Sequence, residues 1–358
     1  MPDRSPASGH LPAATTGVPS RGGGHPAAVR GTLTRMASGR PVRFGFAAAA
    51  AALGGYAVAR QWTDVRAALA GIGPVAAGAA FASVLVAMFA AMQVWRVLLA
   101  AVGSPVPVRA GARIMFVGQL GKYLPGSVWP VLAQMELGRA FRVPRHHSAS
   151  ASLLAMVVSL LSGLLIALLT LPFAAGTMPY LWAFVAVPVL LACLYPRILN
   201  ALLNRALRLI RRPPLEQPLT ARVIATSLAW SLGSWICYGL QVWLLATRLG
   251  APRGAAALLG LGGFAFAWTA GFLAVFAPAG AGVREVLLVA LLGPVLGAGA
   301  ATAVALVSRA LTTGGDLLAA AIAAGCSPSA RPDPAEANEM RNVPGAAPGH
   351  PGTPGAGG

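Results

Sequence analysis

The sequence predicts an all-α fold, a polytopic helical membrane bundle of about 6–8 spans. Three observations carry that expectation. Of 358 residues, 56% are hydrophobic and only 10% charged, whereas soluble domains average about 25% charged. The apolar residues gather in runs near the ~20 residues that cross a bilayer, and are not spread at helical period over one face. The 27 basic residues, against 9 acidic ones, sit in a tail and in short loops between those runs, where the positive-inside rule expects them. In that distribution surplus arginine marks topology and contacts with anionic lipid headgroups; a nucleic-acid partner is not expected.

Residues 1–40 are rich in Pro, Gly, Ser and Arg without apolar periodicity, and read as a disordered cytoplasmic tail. Residues 326–358 read as a second one, leaving a transmembrane domain over 41–325. The first apolar run, Phe44 to Ala59, is read as a retained span, because the polar tail before it is too long for a signal-peptide n-region. Further spans are expected near 74–95, 148–171, 178–195, 223–246, 254–276 and 300–324, with a shorter piece at 283–297. The stretch 254–276 either crosses fully or forms a hairpin with 283–297.

Arginine counts orient the bundle. The N-terminal tail, the loop 139–147 (Arg139, Arg142, Arg145) and the loop 196–222 (six arginines) should face the cytoplasm, and the uncharged loop 172–177 the other side. Arg60 and Arg66 fall on the wrong side of that scheme. Within the second basic loop, residues 197–212 carry Arg197, Arg205, Arg208, Arg211 and Arg212 on one helical face and leucines and isoleucines on the other. That is an amphipathic helix fit for the interface, as an anchor or a collector of anionic lipid. The three cysteines (Cys193, Cys237, Cys326) show no metal or disulfide spacing, and no cofactor or metal is implied.

Two stretches violate the rules for a lipid-facing helix. One runs from Gly118 to Pro130 and is interrupted by Gly121, Pro125, Gly126 and Pro130; the other, Phe276 to Glu285, holds Pro278, Gly280 and Gly282. Broken backbone at membrane depth is tolerated only inside protein or along a wet cavity. Paired Gly/Pro-broken segments in two halves of a membrane chain point to a transport site between inverted repeats. Simple interfacial turns are the competing reading. Lys122, the single lysine beside 26 arginines, marks the first stretch as a place for a compact or titratable charge.

Arg284 and Glu285, adjacent and about 100° apart on a helix, cannot simply pair with each other. A charge at mid-bilayer costs on the order of 2.5–3.5 kcal/mol on insertion scales and usually faces a cavity or a partner. Glu136 with Arg139, and Arg309 with Asp316, share helix faces and are expected to form ion pairs, although Glu136 also follows the first broken stretch directly. Gln119, Gln134 and Gln241 are candidates for interhelical hydrogen bonds.

Several chemistries are absent from the sequence. Gly121-Lys122 is not a phosphate-binding loop, since Phe116 stands where its first glycine belongs and Tyr123 where Ser or Thr belongs. There is no HExxH and no GxSxG nucleophile elbow.

The run Gly121-Lys122-Tyr123-Leu124-Pro125-Gly126-Ser127-Val128-Trp129, followed by Gly138-Arg139, resembles the lysylphosphatidylglycerol synthase transmembrane-region family. So does the later Pro278-Ala279-Gly280-Ala281-Gly282-Val283-Arg284-Glu285, which is similar to that family's Pro-x-Gly-x-Gly-x-Arg-Glu stretch. The resemblance covers roughly residues 40–325. It implies a helical membrane domain with re-entrant elements that moves lipids between leaflets, without the soluble aminoacyl-transferase domain of the bacterial synthases.

The expected function is therefore a flippase-like protein of the cytoplasmic membrane, not an enzyme. It would move an amphiphilic phospho- or glycolipid past Lys122, Tyr123, Pro125, Gly126, Ser127, Glu136, Arg139, Pro278, Gly280, Gly282, Arg284 and Glu285. Its partners are membrane lipids. The alternatives are a non-transporting scaffold for a glycosyltransferase or lipid-modifying enzyme, and an integral-membrane transferase using Glu136 with Glu285.

Overall fold

The computed structural model describes residues 62–123, 128–175, 186–190, 192, 195–209, 218–274 and 278–325. Most of these residues are helical, with no strand among them. Both expected tails, the 43–59 run, and Pro125, Gly126 and Ser127 lie outside the described residues, as does most of 178–195. Ten α-helices follow in order: α1 Trp62–Ala101, α2 Val108–Ala112, α3 Trp129–Arg139, α4 Arg145–Ala175, α5 Pro196–Leu209, α6 Ala221–Arg248, α7 Arg253–Leu258, α8 Phe264–Leu273, α9 Val283–Leu296 and α10 Ala298–Gly325.

Five stretches are long and apolar enough to cross a bilayer: Ala70–Ala101, Arg145–Ala174, Ala221–Arg248, Arg253–Leu273 and Ala298–Gly325. Each matches an expected span. Their outer faces are greasy, with Val86 and Phe89 on α1, Leu169 on α4, Ile236 on α6 and Ile322 on α10 exposed on the protein surface, as lipid contact requires. α1 is broken at Gly73, where φ is 71°, because the following Pro74 pushes its predecessor out of the helical region. The basic loop 139–147 is shorter than expected, since Arg145 already begins α4. The amphipathic helix exists as α5; Leu199 is fully buried, and Asn200 exchanges two hydrogen bonds with the backbone of Leu219.

The described elements repeat an order. A long helix (α1, α6) ends in a glycine-capped turn, a helical hairpin follows, and a second long helix (α4, α10) closes the unit. The two caps share their closing bonds. Gly103 and Gly250 have φ of 94° and 93°, Ser104 donates to Leu99 and Ala251 to Ala246. This is the six-to-one bond of a Schellman motif, which needs the left-handed residue. In each hairpin the first leg opens after a proline (Pro107, Pro252) and passes through a π-turn, Arg113–Val117 or Leu259–Gly263. A 3₁₀ turn then forms the tip side, Leu120–Tyr123 or Pro278–Gly280.

The hairpins open toward opposite ends of the bundle. At one end the close of α1 (Val94, Leu98), the start of α4 (Leu154), α5 (Leu199) and the start of α6 (Ile224) share an apolar cluster. Next to it Trp95 and Leu99 pack with Ile114, Val143 and Leu137 at the open end of the first hairpin. At the other end Ala246, Ala251 and Ala256 pack with Val295 and Leu296, which places the open end of the second hairpin beside the close of α6.

The legs pack backbone to backbone. A Cβ on Gly121 would stand 2.8 Å from the Trp129 carbonyl carbon, and one on Gly118 2.6 Å from Gln134 Cγ. In the second hairpin a Cβ on Gly280 would reach Gly271 Cα at 3.0 Å. Residues 108–123 rise about 24 Å and α3 about 16 Å, and α9 about 21 Å, against a hydrocarbon core of about 30 Å. None of these legs alone is long enough to cross.

Gly121→Ala should therefore destabilise the purified protein by about 1–3 kcal/mol, because its neighbour is backbone that cannot move aside. Gly78→Ala, where a Cβ meets nothing within 4 Å, should be neutral or slightly stabilising. Thermal unfolding in detergent reads both, and equal effects would contradict this packing.

Candidate functional site

The two hairpin tips meet. The Leu120–Tyr123 turn packs against the Pro278–Gly280 turn and against the middle of α10, and Arg309 of α10 bonds the second turn at Ala279. Two ionic ties hold the junction. Lys122 Nζ is 2.6 Å from Asp316 Oδ2, and the Tyr123 hydroxyl donates to the same oxygen at 2.6 Å. Asp316 is 7% exposed, so this carboxylate is desolvated and compensated by a cation and a hydrogen-bond donor together. On the other side Arg309 Nη1 donates to the Ala279 carbonyl at 3.0 Å and stands 3.6 Å from Glu285 Oε1. That second distance is an ion pair and too long for a hydrogen bond. Glu285 uses its other oxygen to cap its own helix, accepting from the Gly282 N–H at 2.7 Å.

Below the tips lies a cavity of about 240 Å³. Lys122 and Tyr123 line it from the first hairpin, Ala279, Gly280 and Arg284 from the second, and Arg309, Thr312 and Asp316 from α10. One wall is aromatic. Trp235 and Trp268 meet edge to face at 5.3 Å, and Trp268 stacks on Phe272 at 5.5 Å. Toward the open end of the first hairpin the lining turns polar, with Gln134, Ser152, Ser159, Ser231 and Ser234. These groups are linked: Trp95 Nε1 donates to Ser152 at 3.1 Å, and Ser152 donates to Gln134 at 2.5 Å. Deeper in, Trp235 Nε1 donates to Ser162, whose hydroxyl is 2.8 Å from that of Ser231. Hydroxyls that bond across helices make a polar seam between them.

The structure brings most of the expected residues to this junction and redistributes their partners. Lys122, Tyr123, Gly280 and Arg284 face the cavity. Pro278 and Gly282 bracket the second tip, and Glu285 acts from behind it through Arg309. The expected pair between Arg309 and Asp316 is corrected: Asp316 is taken by Lys122 and Tyr123, and Arg309 by the second hairpin. Seven residues of helix separate the two groups by about 10 Å along the axis, so tertiary partners lie closer than the helical neighbour.

Glu136 and Arg139 do not line the cavity. Their side chains are 56% and 63% exposed near the open end of the first hairpin, where Arg139 and Arg145 both pair with Glu136. The hydrogen bond from Arg139, followed by the charge of Arg145, holds the Glu136 carboxyl below the usual glutamate range. This clasp therefore persists above that range and is lost as pH falls through the depressed value. The proposed acid/base pair of Glu136 with Glu285 is not assembled. Of the glutamines, Gln241 donates to Ser308 of α10 at 2.8 Å and Gln134 accepts from α4, while Gln119 meets only Met115 Sδ at 3.9 Å.

Sequence reasoning had missed Asp316 as a member of the site, along with Tyr238 and the serines. An acid within an otherwise apolar helix was the available signal for the first. Serines at 148, 152, 159 and 162, and at 227, 231 and 234, repeat at helical spacing and mark the seam.

This architecture defines a polytopic helical membrane protein organised around two oppositely opening hairpins. Within that class, the chain belongs to the family of the lysylphosphatidylglycerol synthase TM region, whose family model matches residues 42–320. No curated protein matches the chain.

Asp316→Asn should lower stability by on the order of 2 kcal/mol. That is less than the ~3–5 kcal/mol for one partner of a fully buried pair, since Lys122 is a third exposed. The double variant Lys122→Met/Asp316→Leu should recover much of the loss. A thermal double-mutant cycle without coupling would contradict the tie.

Proposed function

We propose that this protein moves an amphiphilic phospho- or glycolipid between the leaflets of the cytoplasmic membrane. The headgroup passes the junction of the two hairpins while the hydrocarbon stays in the bilayer. The observation that carries this reading is the junction itself: two hairpins opening to opposite ends, meeting tip to tip beside a charged cavity. Family membership supports it, because the family is a membrane domain of flippase-like assignment.

In this reading both hairpins are re-entrant, and each gives a headgroup a polar half-path from one surface. The first half-path runs along the Gln134–Ser152 seam to Lys122 and Tyr123. The second reaches Arg284 past Gly280. At about 240 Å³ the cavity is smaller than the ~300–1,000 Å³ of pockets that enclose a whole drug-sized ligand, so it suits a headgroup and leaves the chains outside. The ties Lys122–Asp316 and Arg309–Glu285 join the tips to α10; their exchange for headgroup contacts opens one half-path at a time. With no nucleotide-binding motif in the sequence, movement runs down a lipid or ion gradient. Glu136 and Arg139, near the mouth of the first hairpin, meet headgroups at the surface and take no part in the passage.

Purified protein in liposomes should speed the exchange of a fluorescent phospholipid between leaflets, read by chemical quenching from outside. Lys122→Ala should slow that exchange by about tenfold, the loss of one modest interaction at the rate-limiting step, whereas Glu136→Ala should leave it near wild type. Absence of exchange with every lipid class, together with stoichiometric co-purification of a lipid-modifying enzyme, would overturn transport in favour of a scaffold.

A further inference from the structure

α5 stands apart from the hairpin junction, and transport leaves it without a role. Its 14 residues rise about 21 Å, too short to cross a hydrocarbon core of about 30 Å. Two contacts fix how it is turned. Leu199 is fully buried in the apolar cluster with Val94, Leu98, Leu154 and Ile224. One residue on, Asn200 donates to the Leu219 carbonyl at 3.0 Å and accepts from the Leu219 N–H at 2.8 Å. At about 100° per residue, Arg197, Arg205 and Arg208 then fall within an arc of about 80°, and Leu199 lies about 160° from Arg197 around the helix. All three arginines are exposed. Ile198 borders the arc at 41% exposed, and Tyr195, just before the helix, is 54% exposed.

Among the described residues no carboxylate neutralises this face. Asp316 is held by Lys122, Glu285 by Arg309, and Glu136 by Arg139 and Arg145. Asp64 sits in the first turn of α1, whereas the last turns of that helix reach α5. Arg208 uses its Nε on the Asn204 carbonyl at 3.2 Å. Arg197 stands in the first turn of α5, where a cation opposes the helix dipole, so its charge does nothing for the helix that carries it. An arginine stripe bordered by exposed apolar side chains, on a helix whose far side is already packed, fits the boundary between headgroups and acyl chains. Tyrosine is at home at that level.

We infer that α5 is a docking face for anionic phospholipids, outside the hairpin cavity and independent of transport. Arg197, Arg205 and Arg208 take the headgroup charge, while Ile198 and Tyr195 dip toward the acyl chains. The arginine-rich loops orient this end toward the cytoplasm, where the leaflet is the anionic one. A soluble acidic protein would meet the arginines but leave Ile198 and Tyr195 in water.

The test places a fluorophore on Ala201→Cys, an exposed position within the arginine arc, in the full chain without its three native cysteines. The protein is reconstituted in phosphatidylcholine liposomes holding a small share of lipid with a nitroxide high on its acyl chain. That quencher carries either a phosphatidylglycerol or a phosphatidylcholine headgroup. The anionic quencher should be enriched about fivefold at the probe, the preference of roughly one arginine for an anionic surface. Salt at about 1 M, which screens charges beyond about 3 Å, should abolish the preference. Arg205→Gln/Arg208→Gln should lose most of it. Arg248→Gln/Arg253→Gln, which removes as much exposed charge from the other end of the bundle, should keep it.

These side chains are exposed, so both double variants should unfold at the wild-type temperature; if either does not, the salt titration of the wild type decides. Equal quenching by the two lipids, a preference that survives salt, or one lost equally in both double variants overturns the assignment. So does quenching by aqueous acrylamide alone, which would place the face in water or against a soluble partner. Leaflet exchange is not read in this experiment, so failure of the transport reading leaves its outcome untouched.

Discussion

Broken backbone in a membrane protein has to be covered by protein, because hydrocarbon offers its freed amides and carbonyls nothing to bond. In this chain the two broken stretches cover each other. The tip of each hairpin is shielded by the other and by the middle of α10, and Arg309 satisfies the Ala279 carbonyl directly. That mutual cover explains the glycines at the leg contacts, the position of the only lysine, and the burial of Asp316 in α10. Remove the junction and each tip would be left with unsatisfied backbone and a charge without its partner.

The repeat gives the junction its geometry. Two long helices with matched glycine caps, α1 and α6, run in opposite directions, so the hairpins that follow them enter from opposite ends. A π-turn in the first leg of each widens the helix by one residue, the kind of local irregularity that often marks a working site. Around this frame, hydroxyls and amides bond between helices: Ser83 donates to the Cys237 carbonyl, Ser234 to that of Ala87, and Gln241 to Ser308. In a low-dielectric surrounding such bonds fix which helix faces meet, where apolar contact alone would discriminate weakly against lipid.

Much of this was legible in the amino-acid order. Runs of apolar residues near bilayer length located the five stretches long and apolar enough to cross a bilayer, and Gly/Pro interruption located both hairpins, because those signals are local. The charge partners were not. Arg309 and Asp316 share a helix face and read as a pair, yet a hairpin tip brings Lys122 within 2.6 Å of Asp316 from 194 positions earlier. No local pattern records such a contact. Glu136 shows the opposite case: its partner three residues away at Arg139 was readable, while its absence from the cavity depended on how α3 is rotated against the rest. The serine seam was present as helical spacing, but serine is common enough in apolar helices that spacing acquires meaning only once two such faces meet.

The central claim is that the two hairpin tips touch in the membrane-embedded protein. It is tested most directly by pairing single cysteines across the Leu120–Tyr123 and Pro278–Gly280 turns, in a background without the three native cysteines, and adding a short bifunctional maleimide to intact membranes. The account predicts intramolecular bridging between the two turns, and no bridging from either turn to the surface residues Glu136 or Arg208. Turns that each react with a single-ended maleimide but never bridge to one another would contradict it.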